Sequence, residues 1–173
     1  MHKLAHEQIV ARQKILAQEP KISLCVVLDN IRSLFNVGSI FRTCDGLGVE
    51  KIWLCGLTGH PPQSEISKTA LGAEEHVSWE HRRDTVATIK ELKKKYQIVL
   101  LEQMDESISY EKFIPKRPVC LIVGNEVEGV SDEIVELADA AIEIPMAGVK
   151  NSLNVTVAFG VAAYHIRKML LKL

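Results

Sequence analysis

Strand-like apolar runs alternate with helix-like segments along nearly all of this 173-residue chain. Strand signals fall at residues 23–28, 51–55, 76–79, 98–101, 119–123 and 141–144, and helical periodicity falls at 3–18, 36–47, 67–72, 83–96, 131–138 and 152–173. Parallel strands need long crossover connections, which are usually helices that cover both faces of the sheet. The pattern therefore predicts an α/β fold with a mostly parallel sheet flanked by helices.

The length suits one domain with a substantial core. No linker, internal repeat or low-complexity run divides the chain, so we expect a single domain over 1–173, without an appended RNA-binding domain. No apolar run is long enough to span a bilayer, and the N-terminus lacks the pattern of a secretory signal. We therefore expect a cytoplasmic protein.

The net charge of −1, from 21 basic and 22 acidic side chains, does not suggest a nucleic-acid-binding protein, because such proteins usually carry a basic surface. Any RNA-binding surface must then be a local patch. Alternatively, surface lysines and arginines merely solvate the fold. For Lys68, Arg82 and Arg83 we rate this alternative about as highly as an RNA-binding role. The candidates for a patch are Arg32, Arg42, Lys68, Arg82, Arg83 and Lys150.

The four cysteines form no C-x-x-C pair, and three of them lie in apolar, strand-like runs. We expect them to be reduced and buried, as small apolar residues are in an intracellular protein. The six histidines lack metal-ligand spacing, so no metal site is predicted. The cysteines are Cys25, Cys44, Cys55 and Cys120.

The last helix-like segment is apolar on most of its sides, which indicates burial on more than one face. A second copy of the chain would cover the additional face, and we therefore predict a homodimer. The apolar positions are Val155, Val157, Phe159, Val161 and Ala162.

Two apolar runs near the C-terminus end in polar loops. The first stops at Gly124-Asn125-Glu126, and the second stops at Pro145 before a loop that leads to Ser152-Leu153-Asn154. In open α/β sheets, ligands bind at such strand ends. No G-x-G-x-x-G opens a strand–helix unit, and the loop after Gly124 lacks the lysine of a P-loop. A dinucleotide-dependent oxidoreductase and a kinase or ATPase are therefore disfavoured.

Three blocks of residues remain as candidates for a site. In the first, Asn36 can cap a helix, Gly38 leaves room over it, and Arg42 lies on the same helix face and can hold a phosphate. Alternatively, Arg42 pairs with Asp45 and Asn36 is only a cap. Taken alone, this block favours the alternative.

The second and third blocks have similar alternatives. Gly124 lets a ligand approach the backbone and Glu126 would be an acid beside that ligand, or the segment is an ordinary turn with solvated carboxylates. Ser152 and Asn154 are expected in the first turn of the last helix, where free N–H groups favour anions and acceptors, or they are plain caps.

Together the blocks read N-x-G-x-x-x-R-T-C-D-x-x-G, I-V-G-N-E-x-x-G-V-S and P-M-x-G-x-x-x-S-L-N-V-T-V-A. In order and spacing they resemble the three signature motifs of the SpoU (TrmH) family of RNA 2′-O-ribose methyltransferases, in the SPOUT superfamily. The resemblance implies a SPOUT fold with a deep C-terminal trefoil knot and a homodimer made through the knotted region. It divides the chain into an N-terminal helix (1–20), an RNA-side half (21–115) and a knotted half (116–173).

The resemblance also implies that the knotted half binds S-adenosyl-L-methionine through main-chain groups. The side chains at these positions are mostly apolar or absent, which suits recognition by backbone amides. By motif, the cofactor-binding residues would be Leu121, Val123, Gly124, Asn125, Ile144, Met146, Ser152 and Leu153.

By motif, the catalytic residues would be Arg42, Asn36, Glu126, Ser152 and Asn154, and the RNA-binding residues Arg32, Arg42, Lys68 and Lys150. A guanidinium does not lose its proton in proteins, so we expect Arg42 to clamp a phosphate and stabilise oxyanion charge. The resemblance favours tRNA as the substrate. The alternatives are ribosomal RNA and a catalytically inactive, cofactor-binding RNA-binding protein.

Overall fold

The structure is a computed structural model that describes residues 2–116 and 118–172. Within these residues one sheet contains seven strands, and each adjacent pair is parallel. The strands are β1 (Ile22–Asp29), β2 (Val49–Cys55), β3 (Trp79–Arg82), β4 (Gln97–Leu101), β5 (Ile108–Ser109), β6 (Val119–Val123) and β7 (Ala140–Glu143). Their order is β3-β2-β1-β6-β4-β7-β5, which confirms the predicted parallel α/β architecture.

Helices cover both faces of the sheet. The described helices are α1 (His6–Leu16), α2 (Leu34–Leu47), α3 (Ser64–Ala70), α4 (Ala73–His76), α5 (Thr85–Leu92), α6 (Asp132–Val135) and α7 (Val155–Leu170), with a 3-10 turn at Tyr110–Lys112, and all of them except α1 contribute to the core. One core cluster lies between the sheet and α2, α3, α4 and α7, and the other lies between the sheet and α5 and α6. The central strand β6 is buried at every position because it contributes to both clusters.

Two local predictions were wrong. The predicted strand at 76–79 is the end of α4 followed by β3, which begins at Trp79 because its partner β2 pairs with it only from Ile52 onward. The sequence predicts no strand between 101 and 119, yet β5, a two-residue strand that pairs with β7, lies there at the edge of the sheet. Tertiary pairing sets the bounds of such short strands, and local pattern does not.

All four cysteines are buried and unbonded, as predicted. Burial raises the pKa of the Cys55 thiol to about 12 and raises the pKa of Cys44, so these thiols stay protonated near neutral pH. Among residues 2–116 and 118–172, no group of three or more His, Cys, Asp or Glu side chains is placed to hold a metal ion.

The helices at the two ends of the chain expose apolar side chains. Helix α1 has no buried residue, and its apolar side chains, such as Ile9 and Leu16, are exposed. Helix α7 buries Phe159 completely, whereas Val157, Val161 and Tyr164, which we call the α7 stripe, are exposed. Phe159 therefore belongs to the core, and the α7 stripe is an exposed apolar face of the single chain. None of the described helices has the length and hydropathy needed to cross a membrane.

Candidate active site

A cleft of about 130 Å³ lies at the carboxyl ends of β4, β6 and β7, where a parallel sheet of this kind binds its ligand. We call it the strand-end cleft. Its lining consists of Leu101, Glu102, Gln103, Val123, Gly124, Asn125, Glu126, Glu143, Ile144, Met146, Ser152, Leu153, Val155 and Ala158. Seven of the eight residues predicted from the resemblance to bind a cofactor are in this lining.

Gly124, the residue after β6, must be a glycine. A Cβ atom added there would lie 2.6 Å from the backbone carbon of Gly129 and 2.7 Å from a methyl carbon of Val130. The loop 125–129 folds back over Gly124, and two backbone hydrogen bonds between Asn125 and Gly129, of 3.1 and 3.0 Å, close it. The sequence predicts that a ligand approaches the backbone closely at Gly124. In the structure the protein's own 125–129 loop makes such a close approach.

The buried side chain of Asn125 holds this loop in shape. Its Oδ1 accepts the amides of Val127 (2.9 Å) and Glu128 (3.0 Å), and its Nδ2 donates to the carbonyl of Asn30 at 2.9 Å. Asn30 has a positive φ of 56° directly after β1. Asn125 therefore connects the loop after β6 to the loop after β1.

Asp29, the last residue of β1, is 3% exposed. Burial raises the pKa of its carboxyl group, although Oδ1 accepts hydrogen bonds from Thr85 Oγ1 (2.6 Å) and Asn30 Nδ2 (3.0 Å), which oppose the increase. These bonds fix the end of β1 just before the loop that leads into α2.

Side chains from all three sequence blocks meet beside the strand-end cleft. Asn36 Nδ2 donates to Glu126 Oε1 at 2.9 Å, and Asn154 Nδ2 donates to Asn36 Oδ1 at 3.4 Å. Asn154 Oδ1 in turn accepts the amide of Thr156 at 2.9 Å, so Asn154 is the N-cap of α7. The resulting chain of amide and carboxylate groups joins residues 90 and 118 positions apart in sequence.

Asn36 is free to make these contacts because it does not cap α2. The N-cap is Ser33, whose Oγ accepts the amide of Asn36 at 3.3 Å, so the prediction that Asn36 is the cap was wrong. Ser152 is likewise placed before α7 rather than in its first turn, although it does line the cleft. In both helices the true cap stands at the residue whose side-chain oxygen reaches the free first-turn amides.

Arg42 projects from α2 into solvent and does not line the strand-end cleft of its own chain. Within the described residues it makes no hydrogen bond or ion pair, so the predicted alternative of a pair with Asp45 does not occur. Helix α7 runs beside this part of α2: a Cβ added to Gly160 would lie 4.0 Å from Thr43 Cγ2. Gly46, one turn after Arg42 in α2, lies beside the α7 stripe itself, because a Cβ added there would be 3.2 Å from the Tyr164 hydroxyl. Arg42 is therefore within one helical turn of a contact with the stripe.

Gly38 does not open space beside Arg42. A Cβ atom at Gly38 would lie 2.3 Å from the carbonyl oxygen of Ile66 in α3, so the glycine permits close packing of α2 against α3. The room that the sequence predicts over α2 at Gly38 is therefore filled by α3.

The other predicted residues lie in different places. Leu121 is buried inside β6 and does not line the cleft. Arg32 is exposed and lies 3.8 Å from Glu128, and Lys68 and Lys150 are exposed on α3 and on the loop before α7. Lys150 lies in a pocket that shares Gln103 and Glu143 with the cleft, whereas Arg32 and Lys68 line neither.

Three polar residues of the lining, Glu102, Gln103 and Glu143, were not predicted from the sequence. Glu102 and Gln103 follow β4, and Glu143 ends β7. The available signal was their position at strand ends, but the order β6-β4-β7 that brings those ends together becomes visible only in the structure.

A parallel α/β sheet with a cleft at its strand ends, a glycine turn and an Asn–Asn–Glu chain of hydrogen bonds is typical of a ligand-binding enzyme domain. Residues 23–164 match the model of the SpoU rRNA Methylase family. The chain belongs to this family.

Two curated relatives are tRNA (guanosine(18)-2′-O)-methyltransferases. The protein from Aquifex aeolicus is 34% identical over 97% of this chain and 80% of its own length. The protein from Thermus thermophilus is 31% identical over 86% of this chain and 76% of its own length.

Two crystal structures share the fold. The A. aeolicus TrmH/SpoU tRNA modifying enzyme has a TM-score of 0.82 and 32% identity, over 96% of this chain and 84% of that one. The AdoMet-bound rRNA methyltransferase from Sinorhizobium meliloti has a TM-score of 0.79 and 30% identity, over 88% of this chain and 57% of that one.

Proposed function

We propose that this protein transfers a methyl group from S-adenosyl-L-methionine to a ribose 2′-hydroxyl of tRNA. The observation that carries the proposal is the meeting of Asn36, Glu126 and Asn154, one from each sequence block, beside the strand-end cleft. Family membership and the activities of the relatives from A. aeolicus and T. thermophilus support it.

The strand-end cleft suits the cofactor. It combines apolar walls from Val123, Ile144 and Leu153 with loop backbone that is left open at the ends of β6 and β7. Gly124, Asn125, Met146 and Ser152 would complete the binding site. When bound, S-adenosyl-L-methionine supplies a methyl group on a sulfonium, which is an activated electrophile. Leu121 would act only from within β6, through its backbone.

The residues beside the cleft would position the ribose. Asn36 holds one carboxylate oxygen of Glu126, which leaves the other available to accept a hydrogen bond from a ribose hydroxyl. Asn154 holds Asn36 and is itself fixed as the cap of α7, so the three side chains are pre-oriented. A positively charged Arg42 would neutralise the adjacent phosphate and the oxygen that loses its proton.

Within the described residues Arg42 neither lines the cleft of its own chain nor bonds to Asn36, Glu126 or Asn154, which favours its presentation to the cleft of another chain. We infer a homodimer in which the α7 stripe of each protomer is covered by the other. Arg42 lies next to that stripe, and dimerisation would therefore place it at the interface. A symmetric dimer would carry two such composite sites.

The RNA would be held by local charges, since the chain as a whole has a net charge of −1. Arg32, Lys68 and Lys150 are exposed and suit phosphate contacts. Ribosomal RNA is the second candidate substrate, because the S. meliloti structure at 30% identity is an rRNA methyltransferase. Either substrate agrees with the cytoplasmic location that the sequence predicts.

The test is methyl transfer from labelled S-adenosyl-L-methionine to purified tRNA and, separately, to ribosomal RNA, followed by mapping of 2′-O-methylated positions. We expect label in tRNA, with guanosine 18 the first position to examine. Label in ribosomal RNA alone would establish the second candidate. Cofactor binding without transfer to either RNA would indicate the inactive, RNA-binding alternative.

We also propose that the C-terminal half is knotted, as the family resemblance implies. Membership of the family supports this, and the strand order, with β6 between β1 and β4 and β7 beyond β4, is compatible with it. If the chain is knotted, pulling the two ends of a single molecule apart should give a contour length shorter than that of the fully extended chain, because the tightened knot retains some residues. A full-length contour would exclude the knot.

A further inference from the structure

The strand-end cleft is acidic. Three carboxylates line it, from Glu102, Glu126 and Glu143, and none of the described residues in its lining is a lysine, arginine or histidine. Lys150 lies in the adjoining pocket, which shares Gln103 and Glu143 with the cleft but not Glu102 or Glu126. Clustered carboxylates favour a cationic ligand over a neutral one of the same shape.

The three carboxylates differ in their partners. Glu126 accepts from Asn36, and Glu143 accepts from Ser107 Oγ at 2.7 Å. Glu102 receives only the amide of its neighbour Gln103, at 3.0 Å on Oε1, and no side chain of the described residues donates to it.

Gly129 leaves the space that the Glu102 carboxylate occupies. A Cβ atom at Gly129 would lie 2.6 Å from Glu102 Oε2, so a side chain there would displace the carboxylate from the 125–129 loop. Glu102 is therefore held at the wall of the cleft by packing, with Oε2 left free to interact with a ligand.

We propose that Glu102 is a specificity-determining residue that makes the cleft prefer the sulfonium donor to its demethylated product. The inference rests on the proposed function. S-adenosyl-L-methionine carries a net positive charge at neutral pH, whereas S-adenosylhomocysteine carries none. Attraction to Glu102 is therefore lost when the methyl group leaves, which favours exchange of product for a new donor.

The test is calorimetric binding of S-adenosyl-L-methionine, S-adenosylhomocysteine and sinefungin, a cationic analogue with an amine in place of the methylated sulfur. Binding is compared in the wild-type protein, in Glu102→Gln and in the control Glu91→Gln, an exposed glutamate on α5 outside the cleft. Thermal unfolding verifies that each variant is folded.

We expect Glu102→Gln to weaken S-adenosyl-L-methionine and sinefungin by about tenfold, equivalent to ~1.4 kcal/mol, and S-adenosylhomocysteine by less than about twofold. The control should change none of them. In the wild-type protein, added salt should reduce the preference for the cationic ligands.

An equal loss of all three ligands in Glu102→Gln would overturn the inference, because Glu102 would then contact a group that they share. Unchanged affinities would overturn it as well. If the wild-type protein bound none of the three, the proposed donor itself would be wrong, and this inference would fall with it.

Discussion

The strand-end cleft and the surface formed by the α7 stripe and Arg42 differ in how far one chain completes them. The cleft has a full lining, and the loop over it is closed by backbone hydrogen bonds and by the buried amide of Asn125. The surface has exposed apolar side chains and a guanidinium without a partner among the described residues. Donor binding should thus need one chain, and catalysis two.

This contrast follows from where the two regions lie in the fold. Strand ends are fixed by their neighbours in the sheet, so a site built from them is rigid before any ligand binds. Helix α7 buries one face on the sheet and leaves the other in water, where a stripe of exposed apolar side chains marks a surface suited to a partner.

Substitution of Arg42 should distinguish most clearly between the role of the strand-end cleft and the role of the surface formed by the α7 stripe and Arg42. We expect Arg42→Ala to lower the rate of methyl transfer by about 10²–10³-fold, because an oxyanion-stabilising contact is removed. Donor affinity, measured by calorimetry, should stay within about twofold, because Arg42 does not line the cleft of its own chain. A large loss of donor affinity would contradict the prediction that donor binding needs only the strand-end cleft.

Mixing of inactive subunits tests whether Arg42 acts across a dimer. Arg42→Ala and Glu126→Ala should each be inactive alone, but a mixed dimer would contain one site with both residues. Activity that rises on mixing would support a composite site. If mixing restored nothing although mixed dimers formed, Arg42 would serve its own chain or neither.

The backbone of the cleft is tested by Gly124→Ala. The added methyl group would meet Gly129 and Val130 at 2.6–2.7 Å, so either the 125–129 loop moves or the core is strained. We expect a loss of about 1–3 kcal/mol in the free energy of unfolding, together with weakened donor binding. Gly148→Ala is the control, since nothing lies within 4 Å of its added atom. Equal behaviour of the two variants would refute the role of Gly124.

Much of the cleft was predictable because its signals are local. The apolar runs at 119–123 and 141–144 correspond to β6 and β7 within one residue at each end, and Gly124 marks the turn between strand and loop. Three short motifs in register also placed Asn36, Glu126 and Asn154 in one site, which no single motif could do. Their roles in the reaction remain predictions.

The wrong and missing predictions have one cause: the local sequence pattern does not show which residues are neighbours in space. Glu102 was missed because nothing in the sequence places β4 beside β6. Phe159 and Val161 look equivalent in an apolar helix, yet one is 0% and the other 37% exposed. Gly38 serves the packing of α3, a separate helix further along the chain.

The exposed face of α7 is tested by Val161→Glu. A charge in a covered apolar stripe should weaken self-association by at least about tenfold, or ~1.4 kcal/mol, as measured by light scattering over a range of protein concentrations. The fold should survive, because Val161 is exposed in the single chain. Leu57→Glu, at a 74% exposed position, is the control. An unchanged association constant for Val161→Glu would exclude this face as the interface.

The smallest effect concerns Asp29, where the loop after β1 is fixed. Burial raises the pKa of this carboxyl group above its ordinary value. Folding therefore favours the protonated carboxyl group. Its contribution to the free energy of unfolding is complete below about pH 3.9 and is lost as the pH rises through the raised pKa. Asp29→Asn keeps an oxygen that can accept from Thr85 and Asn30 and cannot ionise.

The stability of Asp29→Asn relative to the wild-type protein should therefore increase from acid toward neutral pH and then level off. Urea unfolding between about pH 4 and pH 7.5 measures this difference. Asp105→Asn, at an exposed position, should show no such increase. A variant that instead loses stability relative to the wild-type protein as the pH rises would mean that the ionised carboxylate is stabilising. The ionised carboxylate of Asp29 would then hold the end of β1. The geometry of the neighbouring cleft residues would depend on ionic strength, as interactions at the exposed face of α7 do.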